Sequence, residues 1–207
     1  MRMATTPSIK GSVFADVVED VNKLLGRHEL SDDELARWLL PSDRKLLATP
    51  TSISSWYDIR AYGRMNELLR DVEGDGSNDY LRDRGAATAN QLLEAGLYAQ
   101  LEFIHRTEVA AATGDAARFE AFGRDLEKLN TLSSSILNFS RWRALPDPDR
   151  AGRYLIDVSE AAAFPEVFCW RADGFVNQLA NWHGEEALWT WDRPSQDRVV
   201  FRMLREL

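Results

Sequence analysis

The tetrapeptide Pro146-Asp147-Pro148-Asp149 divides the chain into two stretches with different hydrophobic periods. Proline has no backbone N–H to give to a helix or a sheet, and it pushes the residue before it out of helical geometry. Two prolines in three positions therefore end whatever element runs into them. Upstream, apolar residues recur at three- and four-residue steps, the helical pattern, as in Phe14, Val17, Val18, Val21, Leu24 and Leu25. Downstream, alternation dominates. Ala187, Trp189 and Trp191 alternate with Leu188, Thr190 and Asp192, and Val199, Phe201 and Met203 with Val200, Arg202 and Leu204. That is the period of a half-buried strand. The pattern predicts an α+β fold with about six helices over residues 9–145 and a strand-helix-hairpin unit over 150–207. The helical part would pack on a small three- or four-stranded antiparallel sheet and one helix. A length of 207 residues suits a single domain spanning 1–207.

Local signals place most of the elements. Ile9 to Phe14 reads as a short strand and the run to Leu25 as a helix closed by Gly26. Ser31 followed by Glu34 is a capping-box pair that opens a helix through Leu39. Residues 41–55, with two prolines and many Ser and Thr, read as a connecting segment. Helices follow over 58–72, 78–95 and 97–112, and one long helix runs from Asp115 to Phe139. Past the break, 153–158 reads as a strand and Phe164, Phe168, Arg171, Phe175, Leu179 and Trp182 as one helix. Arg193-Pro194-Ser195-Gln196 is turn-like and joins the two hairpin strands.

Composition excludes several classes. With 44% hydrophobic and 28% charged residues the chain is neither disordered nor fibrous. No apolar run approaches the ~18–20 residues that span a bilayer, and the start lacks the apolar region of a signal peptide. No membrane association and a cytoplasmic location are expected. A single cysteine, Cys169, excludes an internal disulfide and a cysteine-rich zinc site. A net charge of −8 argues against nucleic acid as a partner, although Arg141, Arg143, Arg150 and Arg153, then Arg193, Arg198, Arg202 and Arg205, form weak basic clusters.

Catalytic patterns are absent. His28, His105 and His183 are not spaced as metal ligands, and there is no GxSxG, GxGxxG or phosphate loop. His105 fits a helix histidine at the edge of the core, His28 and His183 fit solvated turns, and Cys169 fits a buried, inert thiol. Asp16, Glu19 and Asp20 fall on the expected solvent face of their helix. Ser133-Ser134-Ser135 either turns hydroxyls into a cavity or, the commoner case, serves a helix–helix contact or is simply tolerated in a helix. Aromatic content says more. Of seven tryptophans, Trp170, Trp182, Trp189 and Trp191 fall in the last forty residues. Such rings either fill the core between helix and sheet, the commoner use, or line an apolar pocket for a flat ligand. Trp56-Tyr57 either staples a helix start or faces a pocket mouth.

A series of motifs carries a likeness to known proteins. An Ile9-Lys-Gly-Ser-Val-Phe14 opening is followed by Leu40-Pro-Ser-Asp-Arg44-Lys-Leu-Leu47, Ser54-Ser-Trp-Tyr57, Gly63-Arg64 and Glu67-Leu-Leu69. Then come Tyr80-Leu-Arg82, Arg84-Gly85 and Ala95-Gly-Leu-Tyr98. This layout resembles a family of uncharacterised bacterial proteins with many myxobacterial members. In outline it is similar to the 4-vinyl reductase domains and the haem–nitric oxide binding domains. The resemblance implies a helical part set on a helix-plus-sheet part, with a ligand cavity between them. Haem members carry an axial histidine late in the long helix, where this chain has Asn130. They also carry a Tyr-x-Ser-x-Arg motif, whereas Tyr154 here is followed by Leu, Ile, Asp and Val. Zinc-binding reductase-like members use several cysteines. The resemblance therefore implies the scaffold without haem, zinc or any other cofactor.

The leading expectation is a non-catalytic binding or sensory module for a small apolar or aromatic ligand. The candidate lining residues are Trp56, Tyr57, Tyr98, Phe103, Trp170 and Trp189. The alternative is a protein–protein scaffold or regulator that forms a homo-oligomer through the Phe164–Trp182 helix and the hairpin. An enzyme is the least favoured reading, since it needs a polar cluster around His105 or Cys169.

Overall fold

The structure, a computed structural model, describes residues 6–27, 30–106 and 112–207. Strand β1 (Ser8–Lys10) leads into α1 (Gly11–Gly26), α2 (Asp32–Trp38) and α3 (Pro41–Leu47). Strand β2 (Trp56–Asp58) pairs antiparallel with β1 and opens α4 (Ile59–Val72). Then come α5 (Asn78–Glu94), α6 (Ala99–His105), α7 (Asp115–Leu126) and α8 (Lys128–Ile136). The C-terminal part contains β3 (Arg141–Pro146), β4 (Tyr154–Ser159), α9 (Glu166–Trp182), β5 (Trp189–Ser195) and β6 (Arg198–Met203). The second sheet has the order β3-β4-β6-β5, antiparallel throughout. This is the α+β arrangement the two periodicities predict, a helical N-terminal part followed by a small antiparallel sheet.

Alternation fixes which way the sheet faces. Trp142, Ile156, Val158, Val199, Phe201, Met203 and Trp189 all belong to the core. Their intervening neighbours turn to the other face, where Arg143 lies opposite Asp157 and Asp157 opposite Val200. There Arg198 donates to Asp157 at 2.6 Å and Arg202 to Asp147 at 2.8 Å. Arg198 and Arg202 are closely paired with acidic partners on this face, and Arg141 and Arg143 more loosely, through an exposed pair and at 3.6 Å respectively. One hydrophobic core runs from Ile9 in β1 to Met203 in β6 and includes residues of both halves.

Several boundaries differ from the sequence expectation, each for a local reason. Residues 41–47 form α3, because Pro41 sits at its first position, where its missing N–H costs nothing, and Asp43 accepts the Leu40 N–H at 2.9 Å. Ser31 and Glu34 form the full capping box at α2. The long helix over 115–139 is two helices. At Glu127 the hydrogen bonding tightens, the Asn130 N–H donating to the Glu127 carbonyl three residues back. Beyond Ile136 the chain is extended: Leu137 bridges Ile9, and Arg141–Pro146 is the fourth strand of the sheet. Pro146 therefore closes a strand. The helix read over 97–112 is α6 as far as His105, and its remainder lies partly outside the described residues, as does His28. The hairpin turn falls at Gln196-Asp197, two residues later than the Arg193–Gln196 stretch.

Two corrections concern polarity. Asp20 is buried and Asp16 nearly so, because α5 and α9 cover the flank of α1 that the sequence assigns to solvent. Only Glu19 of that trio is exposed. His183 is buried, edge-on to Phe122 with ring centroids 5.1 Å apart. No helix among the described residues is long and apolar enough to cross a membrane.

Helices α5 and α9 touch backbone to backbone. A Cβ on Gly85 would stand 1.9 Å from the Arg171 carbonyl oxygen, and one on Gly174 would stand 1.9 Å from that of Arg82. The two glycines answer each other across the contact, and this close approach presses the side chains beside them into one another.

Candidate functional site

Five helices and one strand converge on an apolar pocket. Helix α8 contributes Leu129, Leu132, Ser133 and Ile136, spaced so that they share a face. Helix α9 contributes Phe168, Arg171, Ala172 and Phe175, and α5 contributes Gly85, Thr88 and Leu92, both at helical steps. Val13 of α1, Tyr62 of α4, Leu137 and Trp142 of β3 complete the wall. About 60 Å³ inside is open to the centre of a water-sized sphere. This exceeds the ~10–15 Å³ that one water needs by the same measure, and an apolar lining disfavours water.

The polar groups at the pocket's edge fall into two kinds. Arg171 is hydrogen-bonded through both terminal nitrogens. Its Nη1 donates to Asn66 Oδ1 at 2.7 Å, and its Nη2 donates to Asp16 at 2.8 Å and Thr88 Oγ1 at 2.6 Å. Asp16 also accepts from Arg84 at 2.9 Å, and Arg84 in turn bonds to Asp20. Two arginines and two aspartates thus neutralise one another across α1, α5 and α9. Burial works to raise the Asp16 carboxyl pKa, but Arg171 and Arg84 outweigh it and hold the group below its ordinary value. The Tyr62 hydroxyl is the other kind. It is buried and makes no well-formed hydrogen bond, the Asn66 side chain being its polar neighbour, and burial pushes its pKa up to about 12 against the opposing charge of Arg171. The Arg171 guanidinium lies 5.5 Å from the centre of the Tyr62 ring. A buried hydroxyl without a well-formed hydrogen bond loses its hydration without full compensation, so it favours an acceptor brought in by a ligand.

The residues proposed from sequence lie elsewhere. Trp56 is exposed on β2 with Lys10 over its ring, and Tyr57 stacks on Phe14 at 4.5 Å. The Tyr98 hydroxyl meets Ser12 Oγ at 2.7 Å. Phe103 is exposed beneath Lys128. Trp170 packs edge-on to Trp191 with Arg82 over its ring, and Trp189 stacks near Phe122 in the core. None of the six lines the apolar pocket. The rings that do, Tyr62, Trp142, Phe168 and Phe175, come from three elements, α4, β3 and α9, whose convergence only the tertiary fold sets. One signal was legible: Arg171 stands in the middle of the apolar stripe of α9, where an isolated charge has to find a buried partner.

Catalytic arrangements are not assembled by these side chains. Cys169 is buried, with its thiol pushed up to about 12 by burial, and Arg193 Nη2 lies 3.7 Å from its Sγ. His105 packs edge-on to Trp182 instead. Ser133 donates to the Asn130 carbonyl, and Ser134 and Ser135 donate to that of Thr131, so all three hydroxyls turn back on their own helix. No group of three or more His, Cys, Asp or Glu residues among the described residues could hold a metal ion.

Burial lowers the pKa of His183 to about 4. The unfolded imidazole takes a proton near pH 6.5 and the folded one resists until about 4. Stability is therefore expected to be level above pH 6.5 and to fall steadily from there to about pH 4. Urea midpoints at pH 7.5 and 4.5 check this, and His183→Gln should shrink the difference between them.

Comparison with solved structures places the fold. The chain is similar to an H-NOX protein from S. oneidensis crystallised in its Fe(II)NO ligation state, at 12% identity and a TM-score of 0.54. The match covers 96% of this chain and all of that one. A second structure, described as modulating haem redox potential through porphyrin distortion, matches at 11% identity and a TM-score of 0.49. It covers 94% of this chain and 99% of that one. No family model and no curated protein matches the sequence. The likeness to the haem–nitric oxide binding domains is thus one of fold, and these comparisons give no support to the 4-vinyl reductase domains or the uncharacterised bacterial family.

The pocket does not fit haem. Its open volume is far below that of a porphyrin, and its wall offers no His, Cys or Met. Tyr62 is the one wall residue of an iron-ligating type, and its raised pKa opposes the phenolate that iron requires. His105 and His183 lie outside the wall, and so does Asn130.

Proposed function

We propose that the chain is a non-catalytic binding or sensory module that takes up a small apolar molecule in the pocket between α1, α4, α5, α8 and α9. The observation that carries the reading is an apolar pocket whose buried Tyr62 hydroxyl makes no well-formed hydrogen bond. Removing apolar surface from water supplies the affinity, at ~25 cal/mol per Å², and one hydroxyl gives orientation to a ligand bearing an acceptor. The likeness to H-NOX agrees with a sensory role and does not name the ligand.

Helix α9 is the least free to serve as a contact surface, with ten of its seventeen residues buried. Exposed apolar side chains such as Leu40, Ile53, Leu97, Phe103, Leu145 and Leu204 are spread over separate elements. These facts favour the pocket over the self-association alternative.

Benzene tests the reading. Saturating benzene should raise the melting temperature, by linkage to binding of the folded state. Leu132→Trp, which fills the pocket, should abolish the shift. A melting temperature unmoved by benzene, or moved equally in the filled variant, contradicts the reading. Tyr62→Phe should leave the unliganded stability within about 1 kcal/mol, because at most a poorly formed contact with Asn66 is lost. It should weaken cyclopentanone several-fold while leaving cyclopentane unchanged, as read by calorimetry.

A further inference from the structure

The apolar pocket has a polar neighbour. A cleft of about 460 Å³ opens between α8 and the ends of β3 and β4. Ser133 and Trp142 belong to the walls of both spaces. The two spaces therefore adjoin at these residues, and Ser133 is the smaller of the two. Trp142 is held there by its indole N–H, which donates to Ser140 Oγ at 3.2 Å, and by its stack on Phe201.

The cleft carries cationic charge that its own partners do not fully absorb. Among the described residues Arg141 meets only Glu160, at 3.0 Å, and both side chains are largely exposed, so water competes for the pair. Arg143 reaches Asp157 at 3.6 Å, but Asp157 is already held by Arg198 at 2.6 Å. Among the cleft's wall residues two arginines face one glutamate. Asn130 adds a side-chain amide whose Oδ1 is buried without a donor. That amide can accept from a hydroxyl or turn to offer its N–H groups.

We propose that pocket and cleft together hold one amphipathic ligand, a medium-chain carboxylate, with its apolar chain past Ser133 in the pocket and its carboxylate against Arg143 and Arg141. The assignment rests on the pocket-binding reading above and adds the polar end. An apolar pocket alone selects by size and little else, whereas an anion beside paired guanidiniums gains charge-assisted hydrogen bonds.

Octanoate, 1-octanol and acetate, titrated into the full chain by calorimetry with tryptophan fluorescence in parallel, test it. Octanoate should bind about tenfold or more tighter than 1-octanol, roughly the ratio one added charge-assisted bond gives. Acetate, which lacks the chain, should not bind measurably. The surface variant Arg141→Gln/Arg143→Gln should remove the octanoate advantage and leave 1-octanol unchanged. Leu132→Trp should remove both ligands. Equal affinities for octanoate and 1-octanol, or an octanoate affinity indifferent to the double arginine variant, overturn the amphipathic assignment while the benzene result keeps the pocket. Failure of octanoate to bind a protein that binds benzene also overturns it, and failure of all three ligands and of benzene overturns both readings.

Discussion

Replacing Arg171 with Ala is expected to destabilise the fold by about 3–5 kcal/mol, because it removes a buried hydrogen-bonded guanidinium and leaves the Asp16 and Asp20 carboxylates to share Arg84 alone. Asp16 takes its shortest charged contact from Arg171, and Asn66 and Thr88 lose their guanidinium bonds in the same change. For a chain of this length such a loss lowers the melting temperature by roughly 10 °C. The double variant Arg171→Ala/Asp16→Ala should be less destabilised than the sum of the two singles, since removing both charges leaves none unpaired. Arg171→Lys should lie between, because an ammonium cannot reach Asn66, Asp16 and Thr88 from one planar fork. Chemical denaturation of the four proteins measures the cycle. A melting temperature for Arg171→Ala within 2 °C of the parent would show that the network contributes little.

The second large effect sits at the α5–α9 contact. Gly85→Ala and Gly174→Ala each gain about 1 kcal/mol of helix propensity. That gain is opposed by a methyl group driven to 1.9 Å from a backbone oxygen, which no rotamer change relieves. The helices must part, and the expected outcome is a net destabilisation of about 2–3 kcal/mol for each, at the upper end of overpacking effects. Since the Gly85 site faces Arg171 and also lines the pocket, Gly85→Ala should also weaken benzene binding more than Gly174→Ala does. Thermal melts with and without benzene separate the two contributions.

How far the sequence foretells this molecule depends on the range over which each signal acts. Capping at Ser31–Glu34, the helical stripe of α1 and the alternation of β5 and β6 are local, and each is visible in a window of a few residues. Strand β3 was hidden because Phe139 continues the three-and-four spacing of α8, so a helix pattern overran a chain that had already turned extended at Leu137. Asp16 and Asp20 look solvated in isolation, since a helix wheel knows one buried face and α1 has a second, made by α5 and α9. The pocket is the least local feature. Its wall draws one or a few residues from each of six elements, and the prominent tryptophan pair of the hairpin is spent on ordinary packing against Phe122 and Trp170. The charge in the apolar stripe of α9 is its one visible mark in the sequence.

The proposed guest is a small apolar molecule held in the space between Tyr62, Leu132, Trp142 and Phe168. Crystals of the full chain pressurised with xenon address this most directly, because xenon reports apolar voids without needing a specific polar partner. The account predicts a xenon atom within contact of those four side chains, and its loss in Leu132→Trp. Xenon found only at other sites, or not at all, with these side chains closed upon one another, would contradict it.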